Sequence, residues 1–301
     1  MGDRLKGKVA IVTGSGRGIG RAEALALASE GASVVVNDLG VARDGTGSDS
    51  SPADDTVAEI KARGGTAVAN GDDITDMANG RRIVEQAVSA FGRLDILVNN
   101  AGIQINRNVF EITEDEWDRT ISIHLKGHWS MTRAAIEVMR ASGGGSIINT
   151  ASMAGLGQAR HVDYCAAKEG IVGLTRALAL ELFDYKIRVN DIRPRATTRM
   201  ITERRPEDMG ERERQMRQQG PPAADPSRDP SMLGAMVVFL ASDAASEITG
   251  RDFFIQGYEI SLMSLPEKER SVFREGGWDV ESIERVFPNT FGPLIKAPVA
   301  Y

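Results

Sequence analysis

Apolar positions along the chain fall into short runs separated by longer amphipathic stretches. Residues 9–13, Val-Ala-Ile-Val-Thr, form an unbroken β-branched run and read as a strand buried on both faces. Residues 21–30 follow a helical period that Gly31 stops. The alternation continues, with strands predicted at 33–38, 66–70, 94–99, 146–150, 186–192 and 252–256. Helices are predicted at 53–63, 76–91, 163–183 and 232–241, and a longer one from the capping-box sequence Thr113-Glu-Asp-Glu116 towards Arg140. Residues 40–52, rich in Gly, Ser and Asp, read as a loop. Such alternation predicts an α/β fold, a doubly wound parallel sheet with helices on both faces, built as a single domain over residues 1–262. Residues 263–301 read as a C-terminal helical extension. There Ser264-Leu-Pro-Glu267 is a second capping-box sequence and predicts a helix start. Val280, Ile283 and Phe287 have amphipathic helical spacing, and their stripe is expected to pack on the body or on a neighbouring subunit.

Composition narrows the function classes. The 301 residues carry a net charge of −6, which argues against a nucleic-acid partner because phosphate contacts need a basic face. A hydrophobic share of 42% supports a sizeable core. Cys165 is the single cysteine, so no intrachain disulfide can form, and three histidines with one cysteine leave no zinc cluster to propose. The N-terminal run of apolar residues is too short for a signal or a membrane span. A reducing, cytoplasmic setting with no membrane partner is the expectation.

Thr13-Gly-Ser-Gly-Arg-Gly-Ile-Gly20 lies between the first strand and the first helix. Gly14, Gly18 and Gly20 permit a tight turn and a close backbone approach by a diphosphate, which would meet Arg17, Ile19 and the positive end of the helix. A glycine motif alone is also compatible with a plain flexible turn, but the strand–turn–helix context favours a dinucleotide. Asp38 closes the second strand. Its carboxylate, with Leu39 beside it, can accept the adenosine ribose hydroxyls and repel a 2′-phosphate, which favours NAD over NADP. Asp38 as a cap for the following loop is the alternative, and Arg17 or Arg43 can screen a phosphate.

Tyr164-Cys-Ala-Ala-Lys168 places a phenol and an ammonium on one helical face. The ammonium is expected to favour the phenolate, so that Tyr164 exchanges a proton with an alcohol or ketone as hydride moves. Ser152 lies just past the fifth strand and can hold the substrate oxygen.

The array from the glycine motif through Asp73-Ile74, Asn99-Asn-Ala-Gly102, Ser152, Tyr164, Lys168 and Arg188-Val-Asn190 resembles the short-chain dehydrogenase/reductase family. That resemblance implies a Rossmann-type domain and a nicotinamide-dependent oxidoreductase. It implies that Asp73 and Ile74 border the adenine, that Asn100, Ala101 and Gly102 line the ribose side, and that Lys168 with Tyr164 holds the nicotinamide ribose. Pro194 and Ala196 would run beside the nicotinamide. Homodimers or homotetramers are also implied.

His124 stands where the family usually has an asparagine that supports a proton-relaying water. A neutral imidazole can serve the same relay, or be an ordinary packed histidine, and the sequence leaves both open. Val36-Asn-Asp-Leu-Gly40, Ile123-His-Leu-Lys-Gly127 and Pro194-Arg-Ala-Thr-Thr-Arg-Met200 resemble the (3R)-hydroxyacyl-CoA dehydrogenase unit of type 2 multifunctional enzymes and its free-standing bacterial relatives. The implied substrate is a small-molecule secondary alcohol or ketone, among them a 3-hydroxyacyl thioester. A sterol- or terpene-like ring alcohol, or a non-catalytic NAD(H)-binding module, are the alternatives. Gln158, Arg160, His161, Gln104 and Ile105 are candidate substrate-lining residues. Residues 197–228 read as a lid; its arginines 199, 204, 205, 212, 214 and 217 can meet a CoA phosphate, or simply form a solvated face with glutamates 203, 207, 211 and 213.

Overall fold

The computed structural model describes residues 2–202, 209, 215 and 225–295. It divides into two compact units, residues 1–263 and 264–301. In the first, eight strands form one sheet in the order β3-β2-β1-β4-β5-β6-β7-β8. The strands are β1 Val9–Thr13, β2 Ser33–Asn37, β3 Thr66–Asn70, β4 Ile96–Asn99, β5 Gly145–Thr150, β6 Ile187–Pro194, β7 Asp252–Gln256 and β8 Glu259–Leu262. The first seven run parallel. Every residue of β1 and β4 is buried, as their unbroken apolar sequences require of a sheet covered on both faces.

One layer of helices comprises α1 (Gly18–Ser29) and α2 (Ser51–Ala62), which join the later α8 (Gly234–Ala241). The opposite layer comprises α3 (Met77–Phe91), α5 (Gly127–Ala141) and α6 (Val162–Glu181). Leu27, Val34, Val36 and Leu240 fill the first core, and Ile83, Leu97, Met131 and Val189 the second. The chain runs outward through β1, β2 and β3, then returns to place β4 on the other side of β1. This reversal opens a crevice at the carboxyl ends of β1 and β4, the place where doubly wound sheets bind ligands.

Two local readings need correction. The sheet is not purely parallel: β8 returns antiparallel to β7, with Gln256 opposite Glu259. Gly257 (φ 50°) and Tyr258 make the two-residue turn, a hairpin signal that the short Glu-Ile-Ser-Leu run did not reinforce. The long helix after Thr113 begins with its capping box, Thr113 N donating to Glu116 at 3.1 Å and Glu116 N donating to Thr113 Oγ1 at 3.2 Å. It is interrupted, however: α4 (Glu114–Ile121) passes through a π-helical turn, Ser122–Lys126, before α5. Such a bulge re-aims side chains within an otherwise continuous helix.

In the second unit, residues 264–279 are not helical despite Ser264-Leu-Pro-Glu267, because the charged run that follows offers no apolar face to bury. The helix there is α9 (Val280–Thr290), capped by Asp279, whose carboxylate accepts from Ser282 N at 2.7 Å. Trp278, Ile283, Phe287 and Phe291 gather beside it.

Glu23, on α1, is fully buried, and neither carboxylate oxygen has a partner among the described residues. Burial pushes its pKa from 4.5 up to about 8. The folded state therefore keeps a proton that the unfolded chain releases, and wild-type stability should fall as pH rises from 4.5 to 8. Glu23→Gln, a permanently neutral isostere, should gain about 3 kcal/mol relative to wild type between pH 5 and 7.5 in urea unfolding. An equal stability difference at both pH values would show that Glu23 is not a buried neutral acid.

Candidate active site

The crevice is stapled at its floor. Thr13 Oγ1, at the end of β1, accepts the backbone N–H groups of Asn100 (3.0 Å) and Ala101 (3.1 Å) beyond β4. Asn100 Nδ2 donates back to the carbonyls of Thr13 (3.0 Å) and Gly14 (3.1 Å). The two loops approach so closely that side chains are excluded. A Cβ at Gly14 would lie 2.7 Å from Ala101 Cα, and one at Gly20 would lie 2.4 Å from Asn100 Nδ2 and from the Gly14 carbonyl. Helix α1 then starts with no side-chain cap and no acidic residue in its first turn. Its free N–H groups point towards the crevice mouth, where an anion can satisfy them.

Gly14, Arg17, Gly18, Ile19, Asp38, Leu39, Asp73, Ile74, Asn100, Ala101 and Gly102 all line this cleft. Gly20 stands behind it, fixing α1 against Asn100. Asp38 does both things open to it. Its carboxylate accepts the N–H of Gly16 and of Gly40, each at 2.7 Å, so it fastens the glycine loop and caps the next. Each oxygen retains a lone pair for a ribose hydroxyl. Arg17 reaches Asp49 at 3.8 Å, and Arg43 donates to Asn106 and to the Met200 carbonyl at 3.3 Å. Val41, Ala42, Thr198 and Met200 also line the cleft. Val41 and Ala42 lie in a loop whose Gly-, Ser- and Asp-rich composition carried no such signal, whereas Thr198 and Met200 fall in the segment read as a lid.

Ser152 follows β5 in extended backbone (φ −164°), and its Oγ accepts from Ala154 N at 3.2 Å. Ser152 is the one neighbour that pulls the Tyr164 phenol's pKa down. Lys168, one turn further along α6, is buried, lies 5.5 Å from the Tyr164 ring centroid and donates from Nζ to the Thr150 carbonyl at 2.6 Å. Burial dominates both groups: it pushes Tyr164 up to about 12 and Lys168 down to about 7. The sequence reading gives the phenol two sources of positive charge, the neighbouring ammonium and an oxidised nicotinamide. Desolvation outweighs the first, and the additional positive charge is needed.

A model of the family described as short chain dehydrogenase matches residues 8–209. The chain belongs to that family. Members are oxidoreductases that bind NAD(P). The hydroxyacyl-CoA dehydrogenase ChsB1 of Mycobacterium tuberculosis is 40% identical over 293 residues, covering 91% of this chain and 86% of that one. The peroxisomal hydratase-dehydrogenase-epimerase of Saccharomyces cerevisiae is 48% identical over 196 residues, 65% of this chain, and the match spans only 22% of that longer protein. Among solved structures, carveol dehydrogenase from Mycobacterium avium in complex with NAD matches with a TM-score of 0.73 and 32% identity, over 84% of this chain and 97% of that one.

Against the family pattern, His124 sits inside the π-helical turn, fully buried beneath Gly102, where a Cβ would lie 2.4 Å from its Cε1. Its ring meets Tyr164 edge-on at 5.1 Å. Nε2 faces both the N–H (3.1 Å) and the carbonyl (2.8 Å) of Ile103, and Nδ1 has no partner among the described residues. Burial, reinforced by Lys168, holds the imidazole well below its ordinary pKa, so it is neutral. His161 also faces Tyr164, with ring centroids 6.1 Å apart. Its Nδ1 donates to the Ala159 carbonyl at 3.0 Å, and its Nε2 accepts from the amides of Gln104 and Asn106, a single consistent tautomer.

Ile105 is buried. Gln158 is exposed, and Arg160 occupies a left-handed turn (φ 68°) whose carbonyl accepts from Arg107 N at 3.1 Å. Pro194 ends β6 and Ala196 is buried just beyond it; neither lines the nucleotide cleft. Of the expected lid, the short helix α7 (Arg199–Thr202) is described, and Arg199 lines the cleft. Arg204, Arg205, Arg212, Arg214, Arg217, Glu203, Glu207, Glu211 and Glu213 lie outside the described residues.

The stapled loops give a direct expectation. Gly20→Ala should force Asn100 and Gly14 apart, weakening NAD binding at least about tenfold by calorimetry and costing about 1–3 kcal/mol of stability. Wild-type affinity in this variant would show that the Asn100 staple does not shape the nucleotide site.

Proposed function

We propose that the protein oxidises the secondary alcohol of a 3-hydroxyacyl thioester with NAD. The observation that carries the chemistry is a Tyr164 phenol that shares its helix face with buried Lys168 and whose pKa the neighbouring Ser152 draws down. An alcohol seated between Ser152 and Tyr164 would have its oxygen held by the serine hydroxyl and its proton taken by the phenolate. The nicotinamide, when bound, supplies the hydride acceptor and a positive charge. Lys168, anchored on the Thr150 carbonyl, is set to hold the nicotinamide ribose while its charge favours the phenolate. His124, neutral and with Nδ1 unpartnered, has the chemistry for passing a proton through a water, though its contacts with Ile103 also make it a packing residue.

NAD is preferred in this reading because Asp38 presents a carboxylate where NADP would place its 2′-phosphate. Arg17 and Arg43, the cations nearest to offsetting it, are engaged by Asp49, Asn106 and the Met200 carbonyl. The thioester follows from likeness to a hydroxyacyl-CoA dehydrogenase over 91% of the chain. A ring alcohol is the second reading, favoured by the carveol dehydrogenase neighbour at lower identity. Exposed Trp129 on α5 and Leu180 on α6, with Phe183 just beyond, support a homo-oligomer built on these helices.

The test is NAD reduction with (3R)- and (3S)-hydroxyacyl-CoA beside carveol-type ring alcohols. The thioester should turn over with kcat/KM at least about tenfold higher for NAD than for NADP. Tyr164→Phe should lose at least about 100-fold in kcat with NAD affinity retained. Turnover of ring alcohols alone would replace the substrate assignment, and a fully active Tyr164→Phe would remove the mechanism.

A further inference from the structure

Arg193, on β6, is 1% exposed, and its guanidinium is divided among three elements. Nε donates to Asp252 Oδ2 on β7 at 2.7 Å, Nη1 to the Ser152 carbonyl at 2.7 Å, and Nη2 to Glu169 Oε2 on α6 at 3.0 Å. The first contact neutralises the charge. Parallel pairing puts Asp191 opposite Asp252, and burial together with Asp252 pushes Asp191 far above the carboxylate range. Asp191 therefore holds a proton, and the pair presents one negative charge to one guanidinium.

The other two contacts bear on the reacting groups. The β5–β6 ladder ends with Thr150 opposite Ile192, followed by one last bond from Ala151 N to the Ile192 carbonyl. At the next residue the strands part, and the Arg193 side chain takes the Ser152 carbonyl that the ladder no longer reaches. Glu169 adjoins Lys168 on the helix that also carries Tyr164. A Cβ at Gly155 would lie 2.7 Å from Glu169 Oε2 and 3.3 Å from Arg193 Nη1, so the serine loop lies directly on the fork.

We propose that Arg193 is a positioning residue: its rigid guanidinium fixes the interval between Ser152 and the Tyr164–Lys168 helix, and so the placement of the serine hydroxyl beside the phenol. The proposal rests on the reading of Ser152 and Tyr164 as the reacting pair. A lysine cannot replace the arginine, because a single ammonium on Asp252 lacks the planar fork that reaches the other two acceptors together.

The test compares Arg193→Lys, which keeps the buried charge, with Glu169→Ala, which releases only the partly exposed arm. Both are assayed for alcohol oxidation across pH, with NAD affinity measured by calorimetry and Tyr164→Phe run in parallel. Arg193→Lys should lower kcat at least about tenfold and Glu169→Ala about threefold, with NAD affinity within about twofold of wild type. A displaced Ser152 no longer favours the phenolate, so the rising limb of kcat should move to higher pH in both variants. If Arg193→Lys does not fold, the kcat and pH limb of Glu169→Ala decide. Wild-type kcat with an unshifted limb in the folded variants, beside an inactive Tyr164→Phe, overturns the positioning role and leaves the reacting pair standing. Turnover by Tyr164→Phe overturns both.

Discussion

Burial of Lys168 against the last carbonyl of β5 governs the chemistry of this protein. The contact ties α6 to the sheet and brings Tyr164 beside Ser152, but it also removes water from both titratable groups. Each is then pushed towards its uncharged form, the phenol up and the ammonium down. Left to itself, the phenol stays protonated at neutral pH. A single added positive charge in the adjoining crevice would draw the phenol back towards ionisation, because the desolvation that penalises an isolated phenolate also strengthens its attraction to a nearby cation.

The sheet supplies that adjacency. Its reversal between β1 and β4 opens the crevice, and Thr13 and Asn100 lock the two loops that form its floor. The next strand, β5, ends at Thr150, so the serine emerges two residues later at the same edge. The π-helical turn at Ser122–Lys126 places His124 under that edge, in contact with Gly102 on one side and Tyr164 on the other. The glycine-lined cleft and the Ser152, Tyr164 and Lys168 side chains therefore share one edge of the sheet.

Much of this could be read from residue order. Unbroken apolar runs such as residues 9–13 specify strands covered on both faces, and the glycines between strand and helix mark where backbones must touch. Less could be read where one residue's role depends on a distant partner. Asp38 looked like either a ribose ligand or a loop cap; the fold shows its two oxygens already holding Gly16 and Gly40. Tyr164 and Lys168 share a helix face as their spacing requires, yet the sign of the phenol's shift depends on burial, which spacing does not encode. Arg193 resembled any polar residue near a strand end. Its role needs Asp252, Ser152 and Glu169, each brought to it by a different element. Strand β8 escaped notice because four residues with a single hydrophobic alternation carry little signal.

The most direct test is to observe the ionisation of Tyr164 itself. Protein labelled with 13C at tyrosine Cζ, with the resonance assigned by its loss in Tyr164→Phe, is titrated by NMR with and without NAD. Without NAD the phenol should stay protonated through pH 10, and with NAD its midpoint should fall below the ordinary tyrosine value of about 10. A midpoint near 10 without NAD, or one that NAD leaves unmoved, would contradict the account.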